Sequence, residues 1–198
     1  MKKLLLIIIL IVFNNEIYSQ SNWQFEILGG ARSTEFLIGD DLSFVGDAKI
    51  FYRLSEDSQL SFAAGYHEWS EKYGLNGNHF KAIPIFGGIR FQILKGLLSP
   101  YLSGEFGLHF ISRDFIHQVY ERSALGLYRL ISSEPATEKK TIISFRFAIG
   151  TTMEFYKNIG ADLSLRYSPI RYDYVYSAIA SRGTINLYDL IFGLYYKF

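Results

Sequence analysis

Apolar side chains alternate with polar or small ones along most of the chain after residue 20, and this period of two indicates β-strands. In the last segment, one face carries Phe198, Tyr196, Leu194, Phe192, Leu190 and Tyr188. The other face carries Lys197, Tyr195, Gly193, Ile191 and Asp189. We therefore predict a final strand that ends on an aromatic residue and that needs an apolar environment outside it.

The same alternation predicts eight strands, at 22–31, 42–53, 60–69, 80–91, 100–110, 141–156, 159–167 and 185–198. The predicted connections alternate in length. The long ones are 32–41, 70–79, 111–140 and 168–184, and the short ones are 54–58, 92–99 and 157–158. Segment 111–140 is open to two interpretations: a short amphipathic helix, or extensions of the flanking strands.

The amino-terminal residues have the three-part layout of a secretory signal peptide. Lys2 and Lys3 precede an apolar run at 4–13, and a polar stretch of small residues follows to Ser19 and Gln20. The apolar run is too short for a membrane-spanning helix, which needs roughly 20 residues. We predict a signal peptide at 1–19, with cleavage after Ser19, and one barrel domain at 20–198.

Composition narrows the class of protein. Removing Lys2, Lys3 and Glu16 with the signal peptide reduces 20 basic and 19 acidic residues to 18 of each, so no basic surface for nucleic acid is expected. The chain has no cysteine, which excludes a disulfide framework. No later stretch is apolar enough for a transmembrane helix, so a membrane protein of this sequence must be a closed barrel.

Strand number and connection lengths together predict the fold class: all-β, an eight-stranded antiparallel up-and-down transmembrane β-barrel of the bacterial outer membrane. Alternation alone also fits a soluble, lipocalin-like barrel with its apolar face inward. We favour apolar residues outside, because they are too bulky for a small lumen and the opposite face is rich in Gly and Ala.

With the apolar face outside, charged residues of both signs point into the lumen. The predicted lumen residues are Glu26, Asp47, Lys49, Arg53, Arg90, Glu105, Arg146, Glu154, Asp162, Arg166, Asp189 and Lys197. The two signs are balanced, which predicts a closed ion-pair network, because a buried unpaired charge is costly. Such a lumen is filled rather than open. If the ion pairs are the plug, replacing Arg146 with Ala would raise conductance.

Several short motifs resemble a known family. Residues 82–86, 88–91, 99–102 and 105–107 (AIPIF, GIRF, SPYL and EFG) resemble the Bacteroidetes outer-membrane β-barrel family, often called PorT-like, a small OmpA- or OmpX-type barrel. The resemblance implies fold and location more than activity. Gly193, Tyr196 and Phe198 resemble the carboxy-terminal signal recognised by the barrel-assembly machinery, although Ile191 stands where that signal usually has a polar residue.

The histidines do not form a catalytic or metal-binding pattern. His67 and His109 are predicted to face the lumen, whereas Ser70 and Ser112, three positions later, fall on the opposite face. An outer-membrane lipid A deacylase would need a His-x-Ser pair on one face. His79 and His117 lack metal-ligand spacing. We predict no enzymatic activity, no cofactor and no metal.

The predicted function is that of a structural or interaction protein that uses its extracellular loops, chiefly 111–140. A narrow channel for small or apolar solutes is the alternative, and lipid A modification comes third. Expected partners are outer-membrane lipids, lipopolysaccharide and the barrel-assembly machinery, with no nucleic acid and a monomeric state. The residues considered for lipopolysaccharide phosphates are Arg113, Arg122, Arg129, Lys139 and Lys140, but interspersed acidic residues favour a solvated loop.

Overall fold

The structure, a computed structural model, describes residues 22–34, 43–71, 78–122, 128–176 and 179–198. Within these ranges, no side chain is described at 71, 78, 117–120, 122, 128, 172–176 and 179–183. The predicted signal peptide lies outside the described residues, and so do parts of the four predicted long connections, at 35–41, 72–77, 123–127 and 177–178. No helix in the described part of the chain is long and apolar enough to cross a membrane.

Eight antiparallel strands form a closed barrel in chain order, and β1 pairs with β8 to complete it. The strands are β1 (Trp23–Ser33), β2 (Ser43–Arg53), β3 (Ser58–Glu71), β4 (Asn78–Gln92), β5 (Leu98–Arg122), β6 (Tyr128–Tyr156), β7 (Ile159–Tyr176) and β8 (Ile179–Lys197). This is the predicted up-and-down architecture. Closure pairs every strand on both sides within the barrel wall, which leaves no sheet edge there.

The apolar faces of the strands point outward, as predicted. On β6, Phe145, Phe147 and Ile149 are each more than half exposed, at 52%, 54% and 57%. Ser144 and Arg146, which alternate with them, are both 1% exposed. A soluble barrel would bury the aromatic face and expose the arginine. The reversed arrangement is that of a barrel surrounded by lipid.

The short turns lie at one end of the barrel, at 54–57, 93–97 and 157–158. Lys157 adopts φ 35°, the left-handed conformation that a two-residue hairpin turn uses. Both ends of the barrel domain also lie here, because the Phe198 amide donates to the Trp23 carbonyl at 3.0 Å. In an outer-membrane barrel this is the periplasmic end.

The strands at the opposite end are longer than predicted. β5 and β6 have 25 and 29 residues, and β7 and β8 have 18 and 19. The described parts of segment 111–140, residues 111–122 and 128–140, are therefore extensions of the flanking strands, and the prediction of a polar loop at 168–184 is wrong. The described part of that segment is strand on both sides of residues 177–178.

On strands that include β3, β4 and β7, apolar side chains change from outward to inward positions near this end, which explains the error. On β3, the outward Tyr66 is followed by outward Glu68, while the inward His67 is followed by the buried Trp69. On β7, Arg171 points outward and Ile170 is fully buried. Outward side chains are polar here because the wall has left the lipid, and a sequence interpretation that expects one apolar face throughout stops the strand too early.

Glycine at inward positions of the wall allows the packed lumen to fit inside a narrow barrel. A Cβ atom at Gly107 would lie 2.0 Å from the Ile85 carbonyl oxygen and 2.8 Å from the Phe86 Cα, and both of these are backbone atoms. At Gly104, a Cβ atom would meet nothing within 4 Å. The two glycines lie on the same strand, so they form a matched pair.

We expect Gly107→Ala to lower the free energy of unfolding by about 1–3 kcal/mol, because the backbone around it must shift. Gly104→Ala is expected to be neutral or slightly stabilising, since it reduces the entropy of the unfolded chain without a clash. Urea-induced unfolding in lipid vesicles measures both. Equal effects of the two substitutions would contradict the close approach at Gly107.

Candidate functional site

Charged residues of the lumen form three groups of ion pairs, and the first lies towards the short-turn end. The Arg90 Nη2 atom is 3.1 Å from both the Glu26 Oε2 and the Asp162 Oδ2 atoms. The Tyr101 hydroxyl donates to Asp162 Oδ1 at 2.9 Å. The Arg90 guanidinium also lies between two rings, 4.1 Å from the Phe51 centroid and 4.0 Å from that of Tyr101. The arginine is thereby fixed from four directions.

Asp47 is the centre of the second group. Its Oδ2 atom accepts from Arg146 Nη1 at 2.9 Å and from Arg166 Nη1 at 2.5 Å. Its Oδ1 atom lies 3.0 Å from His67 Nε2. All four side chains are at most 2% exposed. One carboxylate on β2 thus connects strands β3, β6 and β7 across the lumen.

Glu105 extends this group to a second carboxylate. Its Oε1 atom accepts from Lys49 Nζ at 2.6 Å, and its Oε2 atom binds the Arg146 Nε atom. Ser61 donates to the same Oε1 atom at 3.5 Å. Arg146 therefore bridges Asp47 and Glu105, and its guanidinium lies 4.4 Å from the Phe86 ring centroid. Close hydrogen-bonded pairing is what makes so many buried charges tolerable.

Arg32 and Asp189 form the third group, which the sequence interpretation only half found. Arg32 donates from Nε to Asp189 Oδ1 at 2.6 Å and from Nη2 to Oδ2 at 2.9 Å, a bidentate pair between directly opposed residues of β1 and β8. The sequence interpretation places Arg32 in a connection. Arg32 is separated from Glu26 and Leu28 by even numbers of residues, so if β1 continues to Arg32, its side chain shares their inward face.

Three predicted lumen residues lie at the barrel rim instead. Arg53 is exposed at the last position of β2. Glu154 and Lys197 pair with each other, but their side chains remain 40% and 30% exposed. Each of the three occupies an inward position of its strand, as predicted. Each also lies so close to the strand end that the barrel wall no longer surrounds its side chain. The remaining nine predicted residues and Arg32 are buried, five of each sign.

A layer of apolar side chains closes the lumen at the other end, and the sequence interpretation missed it. Its members are at most 7% exposed: Trp69, Phe80, Ala82, Ile111, Ile142, Ile170, Ile185 and Leu187. Trp69 and Phe80 stack with an interplanar angle of 4° and a centroid distance of 5.1 Å. We call this set the apolar cap. At this level of the barrel the inward side chains are apolar and the outward side chains are polar, which is the reverse of the arrangement in the membrane-spanning part.

His67 and His109 both point into the lumen, and His67 belongs to the group around Asp47. Their ring centroids lie 6.0 Å apart, and each residue is 1% exposed. Ser70 is exposed on the outer face and contacts His79, at 3.0 Å from its Nδ1 atom. The buried histidines therefore have no access to lipid or water. No group of three or more potential metal ligands occurs among the described residues.

β5 and β6 project beyond the barrel wall as a two-stranded ribbon. The pairing of β6 with β7 ends at Phe147 and Tyr167, two residues before Pro169, which has no amide hydrogen to continue it. β6 nevertheless pairs with β5 as far as Tyr128. We call residues 112–122 of β5 and 128–140 of β6 the external arm. Within the described chain, these β6 residues pair on one side only.

The residues that resemble an assembly signal lie at the seam between the first and last strands. Gly193 opposes Leu28, whose Cδ2 atom would lie 2.4 Å from a Cβ at that glycine. The Tyr196 and Phe198 rings contact each other edge to face, with centroids 5.1 Å apart. Both rings thus belong to the last residues of the chain, at the short-turn end of the pairing between β1 and β8.

Neither a protein-family model nor a curated protein matches the chain, but solved structures share its fold. It is similar to Neisserial surface protein A, with a TM-score of 0.62, 14% identity, and coverage of 90% of this chain and 98% of that one. A major outer membrane protein from Thermus thermophilus gives a TM-score of 0.60 at 10% identity and 89% and 99% coverage. OprG from Pseudomonas aeruginosa gives a TM-score of 0.51 at 13% identity, with coverage of 92% of this chain and 100% of that one.

All three are small barrels of the bacterial outer membrane, and at these identities the likeness concerns the fold alone. The exposed apolar belt of this chain supplies the independent evidence for a lipid environment. Fold and belt together identify this chain as an integral eight-stranded β-barrel of the bacterial outer membrane.

Proposed function

We propose that this protein is a sealed membrane anchor that presents the external arm to a ligand or partner at the cell surface. The observation that carries the proposal is the arm itself, which pairs on one side only along β6 beyond Phe147. From Ser112 to Arg122 the strand is about 35 Å long at roughly 3.3 Å per residue. A binding surface at that distance reaches beyond the lipid headgroups.

The properties of the arm favour binding over a purely structural role. An isolated two-stranded ribbon is only marginally stable in water, so ordering by a partner would stabilise it. Leu130 and Ile131 are 47% and 57% exposed near its far end. Closer to the barrel, Thr137 donates to Asp114 at 2.8 Å, and Arg113 pairs with Glu138 at 3.6 Å. The base is held in place while apolar side chains remain available at the far end.

The closed lumen argues against the channel alternative. A solute would have to pass the apolar cap and then the ion-pair groups, and both consist of side chains that are almost completely buried. An eight-stranded barrel has room for such side chains and little else. Buried His67 and His109 likewise give no support to lipid A modification, because no lipid reaches them.

Lipopolysaccharide remains a proposed partner of the outer wall. Lys81 and Lys139 flank Ser112 on neighbouring strands, and both are exposed. Lys81 lies next to the outward Ile83 on β4, and Lys139 lies one outward position beyond Thr141 and two beyond Ile143 on β6, where phosphate groups of the outer leaflet would lie. Asp114, 4.0 Å from Lys81, limits the local positive charge. Arg113 is buried and paired with Glu138, so it is not part of this surface.

Membership of the Bacteroidetes outer-membrane β-barrel family is also a proposal, and it rests on the short motifs alone.

Photo-cross-linking in intact cells tests the arm. A benzophenone amino acid in place of Leu130 or Ile131 should give a discrete adduct on irradiation, and one in place of Leu54, at the opposite end of the barrel, should not give that adduct. Adding Ile131→Asp to the Leu130 probe should abolish the adduct if the apolar tip makes the contact. Two arm probes that give no adduct from a folded barrel would contradict the proposal.

A further inference from the structure

The turn between β4 and β5 exposes apolar side chains at the end of the barrel where the other turns are more polar. Ile93, Leu94, Leu97 and Leu98 are 56%, 64%, 72% and 58% exposed. The turn between β6 and β7, by contrast, consists of Lys157 and Asn158. Contiguous exposed apolar patches of this kind mark contact surfaces rather than surfaces that face water.

This turn, residues 93–97, is held in a defined shape. The Ile93 amide donates to the Pro100 carbonyl at 2.8 Å, and the Ser99 hydroxyl donates to the Gly96 carbonyl at 3.1 Å. Lys95 Nζ lies 2.6 Å from Glu56 Oε2 and 3.0 Å from Asp57 Oδ1 in the neighbouring turn. The Lys95 ammonium lowers the pKa of Glu56 by hydrogen bonding to it. The charged group is thus bound by carboxylates, and the apolar side chains form the free surface.

The apolar surface of the turn continues the lipid-facing belt. Phe91 and Leu98 are outward residues of the two strands that enter and leave the turn, and each is at least half exposed. On β1 and β2 the belt instead carries Trp23 and Tyr52, whose rings contact at 4.9 Å, and Leu54 is the one exposed apolar residue of the turn that follows. Aromatic residues of this kind mark a membrane–water interface. The β4–β5 hairpin has leucines and an isoleucine beyond its last outward aromatic residue.

We propose that the β4–β5 turn is a lipid anchor that inserts Ile93, Leu94 and Leu97 into the phospholipid leaflet at the short-turn end of the barrel. Continuity with the lipid-facing belt favours lipid over a protein as the occupant. The anchor extends the apolar height of the wall on one side, so it would tilt the barrel towards β4 and β5 to match the bilayer.

The experiment uses the absence of cysteine from the chain. Leu94→Cys and Leu97→Cys are labelled with the environment-sensitive fluorophore NBD, and the full barrel is refolded into phosphatidylcholine vesicles. Asn158→Cys, in the other short turn, is the matched control for any effect of the label. Gel mobility without boiling verifies that each labelled protein has folded.

The proposal expects blue-shifted emission at positions 94 and 97 and quenching by spin-labelled lipid about threefold or more greater than at position 158, because only an inserted probe contacts acyl chains. Aqueous iodide should show the reverse order. Probes at 94 and 97 that are as accessible to iodide as the probe at 158 would overturn it. If a periplasmic extract then shielded those probes, the occupant would be a protein and the lipid anchor would still be rejected.

Discussion

Replacing Asp47 with Ala is expected to lower the free energy of unfolding by about 3–5 kcal/mol, the cost of removing one partner from a buried ion pair. Asp47 receives hydrogen bonds from Arg146 and Arg166, and all three side chains are at most 2% exposed. The substitution leaves two guanidinium groups without this carboxylate in a space that water does not reach. Urea-induced unfolding in lipid vesicles, followed by gel mobility without boiling, gives the free energy.

The control for Asp47→Ala is Glu154→Ala. Glu154 also pairs with a cation, Lys197, but its side chain is 40% exposed at the rim. Ion pairs in contact with water contribute roughly 0–1 kcal/mol to stability, so we expect Glu154→Ala to lower the free energy of unfolding by no more than that. If Asp47→Ala were as mild as Glu154→Ala, the central group of charges would not be a connected, dry cluster, and the lumen would not be sealed by it.

Opening the lumen is expected to require changes in both of its layers. Arg146→Ala removes the bridge between Asp47 and Glu105 but leaves the apolar cap in place. Combining it with Trp69→Ala and Phe80→Ala also removes the stacked pair of the cap. We therefore expect no current steps from the native barrel or from Arg146→Ala alone, and discrete steps from the triple variant, in planar bilayers.

Stability limits the choice of variants for this measurement. Truncating a buried Trp or Phe to Ala costs about 3–5 kcal/mol, so Arg146→Ala with Phe80→Ala alone is the milder second test. Only barrels with the mobility of the folded form are compared. Conductance from Arg146→Ala alone would show that the ion pairs are the only seal, whereas native conductance would favour the channel function over the sealed anchor.

The inward position of most lumen charges could be predicted, but their partners could not. Strand phase alone places Asp47, Glu105 and Arg146 on one face, because side chains alternate strictly along a strand. Which carboxylate meets which guanidinium depends on the distances across the barrel. Glu105 and Arg146 are opposed residues on paired strands, and so are Arg32 and Asp189. Asp47 reaches Arg166 from the far side of the lumen, and no local pattern contains that contact.

The apolar cap shows a different limit. Trp69 and Ile170 are visible in the sequence as apolar residues, but an apolar residue in a membrane barrel is expected to face lipid. Near the long end of the barrel, the outward positions carry Glu68, Lys81 and Arg171 instead. Apolar and polar residues still alternate here, but the apolar ones now point inward. The position of the membrane boundary must therefore be known before the two faces of a strand can be assigned.

The amino-acid pattern predicts the strand alternation, the eight strands, the short turns at one end and the outward apolar face, because each depends on the period of two and on local turn chemistry. It also indicated a balanced lumen. The folded barrel was needed to establish how far β5 and β6 continue, where the apolar face changes sides, and how the buried charges pair. These features depend on contacts between residues far apart in the chain and on where the lipid ends, and neither is encoded in any single segment.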